Sequence, residues 1–79
     1  MLSADQIQLW LAQALPDSHI SVIGDDGAHF ETTVVSPEFI GKSLVQRHQV
    51  IYRALGDHMQ EIHALSIQAH TPDESPITK

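Results

Sequence analysis

Six histidines, at positions 19, 29, 48, 58, 63 and 70, are the nitrogen donors this chain could offer a metal, and it contains no cysteine to supply a thiolate. A lone histidine in a small domain is ordinarily a surface residue or a hydrogen-bonded structural one, and His19, His58 and His70 are read that way. His48 falls on a helical pattern beside an apolar stripe, which suits a packed structural role. His63 stands apart. It opens a run of apolar residues, so a metal-binding role is weighed for its imidazole beside the commoner structural one.

The other arresting stretch is SPEFIGKSLVQRHQVIYRAL, residues 36–55. Gly41-Lys42-Ser43 has the residues that close a phosphate-binding loop, but G-x-x-x-x-G-K-S requires glycine at position 36, where Ser36 stands. Lys42, Arg47 and Arg53 fall within twelve positions and are three of only four cations in the chain. A cluster of that kind could contact a partner or a nucleic acid. Against a general nucleic-acid role, ten acidic residues oppose the four basic ones, for a formal charge of −6. Phosphate neutralisation supplies most of the affinity of such binders. Catalysis finds no support: no H-E-x-x-H occurs, and Glu61-Ile62-His63 lacks helical metal-ligand spacing. A domain this small also has little room for a water-excluding cleft or a small-molecule substrate. The expectation is a non-enzyme.

These residues need a scaffold, and the chain's patterns specify one. Ser3 followed by Gln6 is a capping-box pattern, and Ile7, Leu11 and Leu15 then recur every fourth position beside Trp10, a core anchor. This predicts a helix over 4–15, stopped by Pro16-Asp17. HISVIGDDGAHFETTVVS reads as a β-hairpin turning at Asp25-Asp26-Gly27 and closed by Ser36-Pro37. PEFIG is a single turn with Phe39 folded inward. Helical period returns from Ser43 to Leu55, Gly56-Asp57 breaks it, and DHMQE makes a short further helix. IHALSIQAH alternates as a third strand with Leu65 and Ile67 toward the core.

The order is therefore α-β-β-α-α-β in a single α+β domain over residues 1–79. Its core spans about 3–70, followed by a short frayed tail over 71–79 in which Pro72 starts a helix that Pro76 cuts off. Helices 4–15 and 44–55 should pack on one face of a three-stranded sheet. Leu11, Leu15, Phe30, Leu44, Ile51, Leu55, Leu65 and Ile67 should form the core. At 79 residues and 42% hydrophobic the chain must rely on that core alone. No apolar run approaches the roughly 20 residues of a membrane span, and MLSADQIQLW does not look like a signal peptide. Cytoplasmic residence is the default expectation.

Taken together, these residues resemble the BolA family, particularly its bacterial IbaG-type branch. The matching stretches are DGAHFETTVVSPEFIGKSLVQRHQVIYRAL and IHALSIQAHTPDE. The family pattern F-x-G-x5-R-H is met by Phe39, Gly41, Arg47 and His48, and its I-H-A turn by Ile62, His63 and Ala64. The resemblance implies a fold like the type II KH domain and makes Gly41–Leu55 the family's signature turn and helix. KH domains hold RNA on a G-x-x-G turn, and Gly41-Lys42-Ser43-Leu44 lacks the second glycine.

The resemblance also implies partnership with a monothiol glutaredoxin in iron–sulfur cluster handling or iron sensing. In the family the I-H-A histidine is a cluster ligand, which carries over to His63. A second ligand, cysteine or histidine, lies in the loop between the first two strands. Here Asp25 and Asp26 occupy that loop, and His29 is the imidazole nearby. Such clusters are held mainly by thiolates, so a 2Fe–2S cluster would be shared with the partner and not held alone. The alternative implied by other relatives is a transcriptional regulator that binds DNA through its helical pair, using Lys42, Arg47 and Arg53.

Overall fold

The computed structural model describes residues 1–74. Helix α1 runs Ala4–Ala14, and the Ser3 hydroxyl accepts the Gln6 N–H at 3.2 Å, satisfying one of the donors that a helix start leaves free. Strands β1 (His19–Ile23) and β2 (His29–Val35) form the expected antiparallel hairpin, in register from His19 opposite Val35 to Ile23 opposite Glu31. A 3-10 turn, Pro37–Phe39, follows and buries Phe39. Gly41 then takes φ +79°, a conformation that side chains with a Cβ rarely adopt, and so turns the chain into the next helix.

Helix α2 spans Leu44–Leu55 and opens with a complete capping box. The Ser43 hydroxyl accepts the Gln46 N–H, and the Gln46 side chain accepts the Ser43 N–H at 2.9 Å. Gly56, at φ +53°, ends it. The short helix expected next is a 3-10 helix, Gly56–Glu61, with no side-chain cap and no buried residue. Strand β3, Ala64–His70, pairs in parallel with β2, which gives a mixed sheet in the order β1-β2-β3.

Register fixes which side chains meet the helices. Phe30, Thr32 and Val34 lie opposite Leu65, Ile67 and Ala69, and Val22 and Ile20 lie opposite Thr32 and Val34. Ile7 and Leu11 of α1 and Ile51 and Leu55 of α2 pack on that one face, with Leu15, Phe39 and Ile62 closing the ends of the cluster. Leu11, Leu15, Phe30, Ile51 and Leu55 are buried as expected. Leu65 and Ile67 face the helices but are half-buried, because β3 is an edge strand.

Leu44 corrects the expectation outright: it is 66% exposed. It sits at the first position of α2, where the inward place one turn further on belongs to Arg47. The start of the tail is a turn at Pro72, where a helix start was expected. Residues 71–74 form a fixed turn, in which the Glu74 N–H donates to the Thr71 carbonyl and the Thr71 N–H to the Glu74 carboxylate. Pro76 and the rest of the tail lie outside the described residues. Among those described, no helix is long and apolar enough to cross a membrane.

Candidate functional site

His29 and His63 come together at one end of the sheet. His29 is the first residue of β2 and pairs with Ala64, the first of β3. The Ala64 N–H donates to the Ala28 carbonyl at 3.0 Å, tying the two strand starts directly to each other. His63 is held in the bend between Ala64 and the buried Ile62, whose N–H donates to Met59. The outcome is two exposed imidazoles meeting edge to face, with ring centres 5.4 Å apart and planes at 83°.

The loop between β1 and β2 orients one of them. Asp26 places one carboxylate oxygen where it accepts the backbone N–H groups of Ala28 and His29, at 2.9 and 2.8 Å. Its other oxygen lies 2.8 Å from His29 Nδ1. The His29 N–H, then the Ala28 N–H and the His29 ring, hold the Asp26 carboxyl well below the usual carboxylate range. An ionised carboxylate can only accept, so Nδ1 carries the proton and donates. In the neutral ring this leaves the Nε2 lone pair free. A carboxylate behind an imidazole is the arrangement that fixes tautomer and ring direction in metal-binding histidines.

The two rings are a pair of neighbouring imidazoles, with ring centres 5.4 Å apart. They are also an incomplete set: among the described residues no group of three or more His, Cys, Asp or Glu could hold a metal ion.

The other residues singled out in the sequence lie elsewhere. Arg47 is buried, and its guanidinium donates to the carbonyls of Lys42 and Ala69 and, through both terminal nitrogens, to Glu74. Hydrogen bonding to Glu74 raises the Arg47 pKa. Arg47 is therefore a structural clamp joining the signature turn, β3 and the tail, and it leaves the expected surface cluster. Of that cluster, Lys42 and Arg53 remain exposed, with Lys42 Nζ donating to the Glu38 carbonyl. His48 is half-buried and packs edge-on against Tyr52.

Three features escaped the sequence. Asp26 as anchor of His29 was signalled only by a carboxylate three residues before an imidazole in a turn. Glu74 as partner of Arg47 had no local signal. Trp10, read as a core anchor, is half-buried and stacks on His58 with ring centres 3.7 Å apart, while His58 Nδ1 lies 3.2 Å from Glu61.

Residues 11–74 match the BolA-like protein family. The chain belongs to that family. It is 42% identical to Protein BOLA2 of Arabidopsis thaliana, over 94% of this chain and 84% of that one. It is 39% identical to the acid stress protein IbaG of Escherichia coli, over 89% of this chain and 84% of the relative. A solved structure of a BolA homologue from Coxiella burnetii superposes with a TM-score of 0.85 at 45% identity, covering 94% of this chain and 96% of the other. The shared architecture is two helices on a three-stranded mixed sheet, and membership of this family fits an iron–sulfur-related role.

Proposed function

We propose that this chain is a non-enzymatic cytoplasmic adaptor in iron–sulfur cluster trafficking or iron sensing. In this reading His63 and His29 give nitrogen ligands to a 2Fe–2S cluster whose thiolates come from a monothiol glutaredoxin. The observation that carries it is the meeting of the two imidazoles at 5.4 Å, one of them backed by an ionised carboxylate, in a chain with no cysteine. Such a pair lacks the ligands to assemble a cluster alone and suits a shared one.

The chain's own contribution is positional. Asp26 holds the His29 ring, and the Ala28–Ala64 hydrogen bond holds His63 beside it. Exchanging thiolate for neutral imidazole removes negative charge from a cluster, which raises its reduction potential. Ligation of that kind suits transfer or sensing better than storage. The regulator reading loses support, since Arg47 is consumed internally and the chain carries net charge −6.

The test is anaerobic reconstitution with a monothiol glutaredoxin, followed by visible circular dichroism. His63→Ala should abolish the mixed-ligand spectrum, His29→Ala should alter it, and His19→Ala, remote from the pair, should leave it intact. An unchanged spectrum and stability with His63→Ala would refute the ligand assignment.

A further inference from the structure

The free edge of β3 borders an open groove that the cluster reading does not use. In the parallel pairing, Ala64 and His70 bond across to β2: the Ala64 N–H reaches Ala28 and the His70 carbonyl takes the Ser36 N–H. Alternation then turns the backbone groups of Leu65, Ile67 and Ala69 away from β2. The Ala69 carbonyl is already taken by Arg47, which confirms the direction. Leu65 and Ile67 therefore present N–H and C=O groups along the edge. Unpaired edges are templates for a further strand, and proteins usually blunt them. Among the described residues this one is blunted only at its Ala69 end.

Beside the edge lies a groove of about 540 Å³ whose walls include Leu44 and His48 of α2 and Ile67 of β3. The exposed Leu44 and half-buried Ile67 give it an apolar floor. Its far end holds Lys42, the ring of His70 and the Arg47–Glu74 ion pair, so Lys42 is the cation left over there among the described residues. Glu74 shows what that end accepts: a carboxylate, gripped in two-pronged fashion by Arg47 and 47% exposed on its outer side. Lys42 stands on the same groove with its ammonium donating to the Glu38 carbonyl, and among the described residues no carboxylate pairs with it.

We propose that this groove is a docking site for an extended acidic peptide segment of a partner protein. The segment adds as a fourth strand along Leu65 and Ile67 and sets a carboxylate side chain against Lys42. Main-chain pairing supplies affinity, and the apolar floor and the cationic end select alternating apolar and acidic side chains. Seven residues of β3 at about 3.3 Å each put the Lys42 end roughly 20 Å from the histidine pair, so variants at Lys42 and at His63 probe opposite ends of the strand.

A random decapeptide phage library, panned against the full chain without metal or glutaredoxin, tests this independently of cluster ligation. Enriched peptides should alternate β-branched or aromatic residues with Asp or Glu. In amide exchange monitored by NMR, the best of them should protect the Leu65 and Ile67 N–H groups. N-methylating alternate peptide amides, and Lys42→Glu in the protein, should each weaken binding at least about ten-fold. Arg53→Glu should change it less than two-fold, and His63→Ala should have no effect. Absence of enrichment, enrichment of amphipathic helical sequences, or a footprint away from β3 overturns the proposal. So does a single-stranded dT10 or U10 that binds this edge more tightly than the selected peptide. Protection of the same amides on concentrating the free chain would assign the edge to a second copy instead.

Discussion

Arg47 closes a bond across 27 residues to Glu74, with nitrogen–oxygen distances of 2.6 and 3.2 Å. Hydrogen bonding from Arg47, helped by the Thr71 N–H, pulls the Glu74 carboxyl from 4.5 down to about 2. A carboxyl depressed on folding contributes stability that is present above its unfolded value and lost as pH falls through its folded one. The clamp should therefore be intact above about pH 4.5 and come apart between there and about pH 2. Urea midpoints measured across that window should fall more steeply for the wild type than for Glu74→Gln. Parallel curves would show that the clamp contributes nothing to acid stability.

Leu55 and Leu44 lie at opposite ends of α2 with opposite environments, 1% and 66% exposed. Truncating a fully buried leucine forfeits its transfer energy and leaves a cavity, so Leu55→Ala should cost about 2–5 kcal/mol. Leu44→Ala should stay within about 0.5 kcal/mol of wild type, as exposed positions do. Comparable losses in denaturant titrations would mean that the buried face of α2 is drawn wrongly.

That contrast shows where sequence reading stopped. The boundaries of α2 were legible because Ser43, Gln46 and Gly56 signal them within a few residues. The hairpin was legible for the same reason, its turn residues Asp25, Asp26 and Gly27 lying between alternating strands. Leu44 continued the apolar period, and periodicity cannot tell where the sheet beneath a helix runs out. Arg47 read as a surface cation because its partners Ala69 and Glu74 lie 22 and 27 residues away, beyond any local pattern. The pairing of His29 with His63 is equally non-local. Family resemblance pointed to both, and the strand register that joins them is a property of the fold.

Asp26 should matter to His29 without touching a metal. Asp26→Asn keeps the size and shape of the side chain but removes the charge that forces Nδ1 to donate. The His29 ring should then sample both tautomers, visible in the 15N shifts of the ring nitrogens without any partner present. Loss of a carboxylate behind a metal-binding imidazole typically costs about 10–100-fold in affinity. Asp26→Asn should therefore weaken the shared cluster less than His29→Ala does. An unmoved 15N spectrum would remove Asp26 from the site.

Acid should release the shared cluster before it releases one held by thiolates from the glutaredoxin alone. An imidazole ligates only when deprotonated, so protons compete directly with metal for the nitrogens of His63 and His29. Asp26 adds no acid sensitivity of its own near neutrality, because its carboxyl is held well below the usual range by the backbone of His29 and Ala28. On stepwise acidification, the visible dichroism of the mixed complex should collapse at a higher pH than that of the cluster-loaded glutaredoxin homodimer. Restoring neutral pH anaerobically, before the cluster decomposes, should bring the mixed bands back. Collapse of both species at the same pH, or of the homodimer first, would show that histidine does not hold the cluster in the mixed complex.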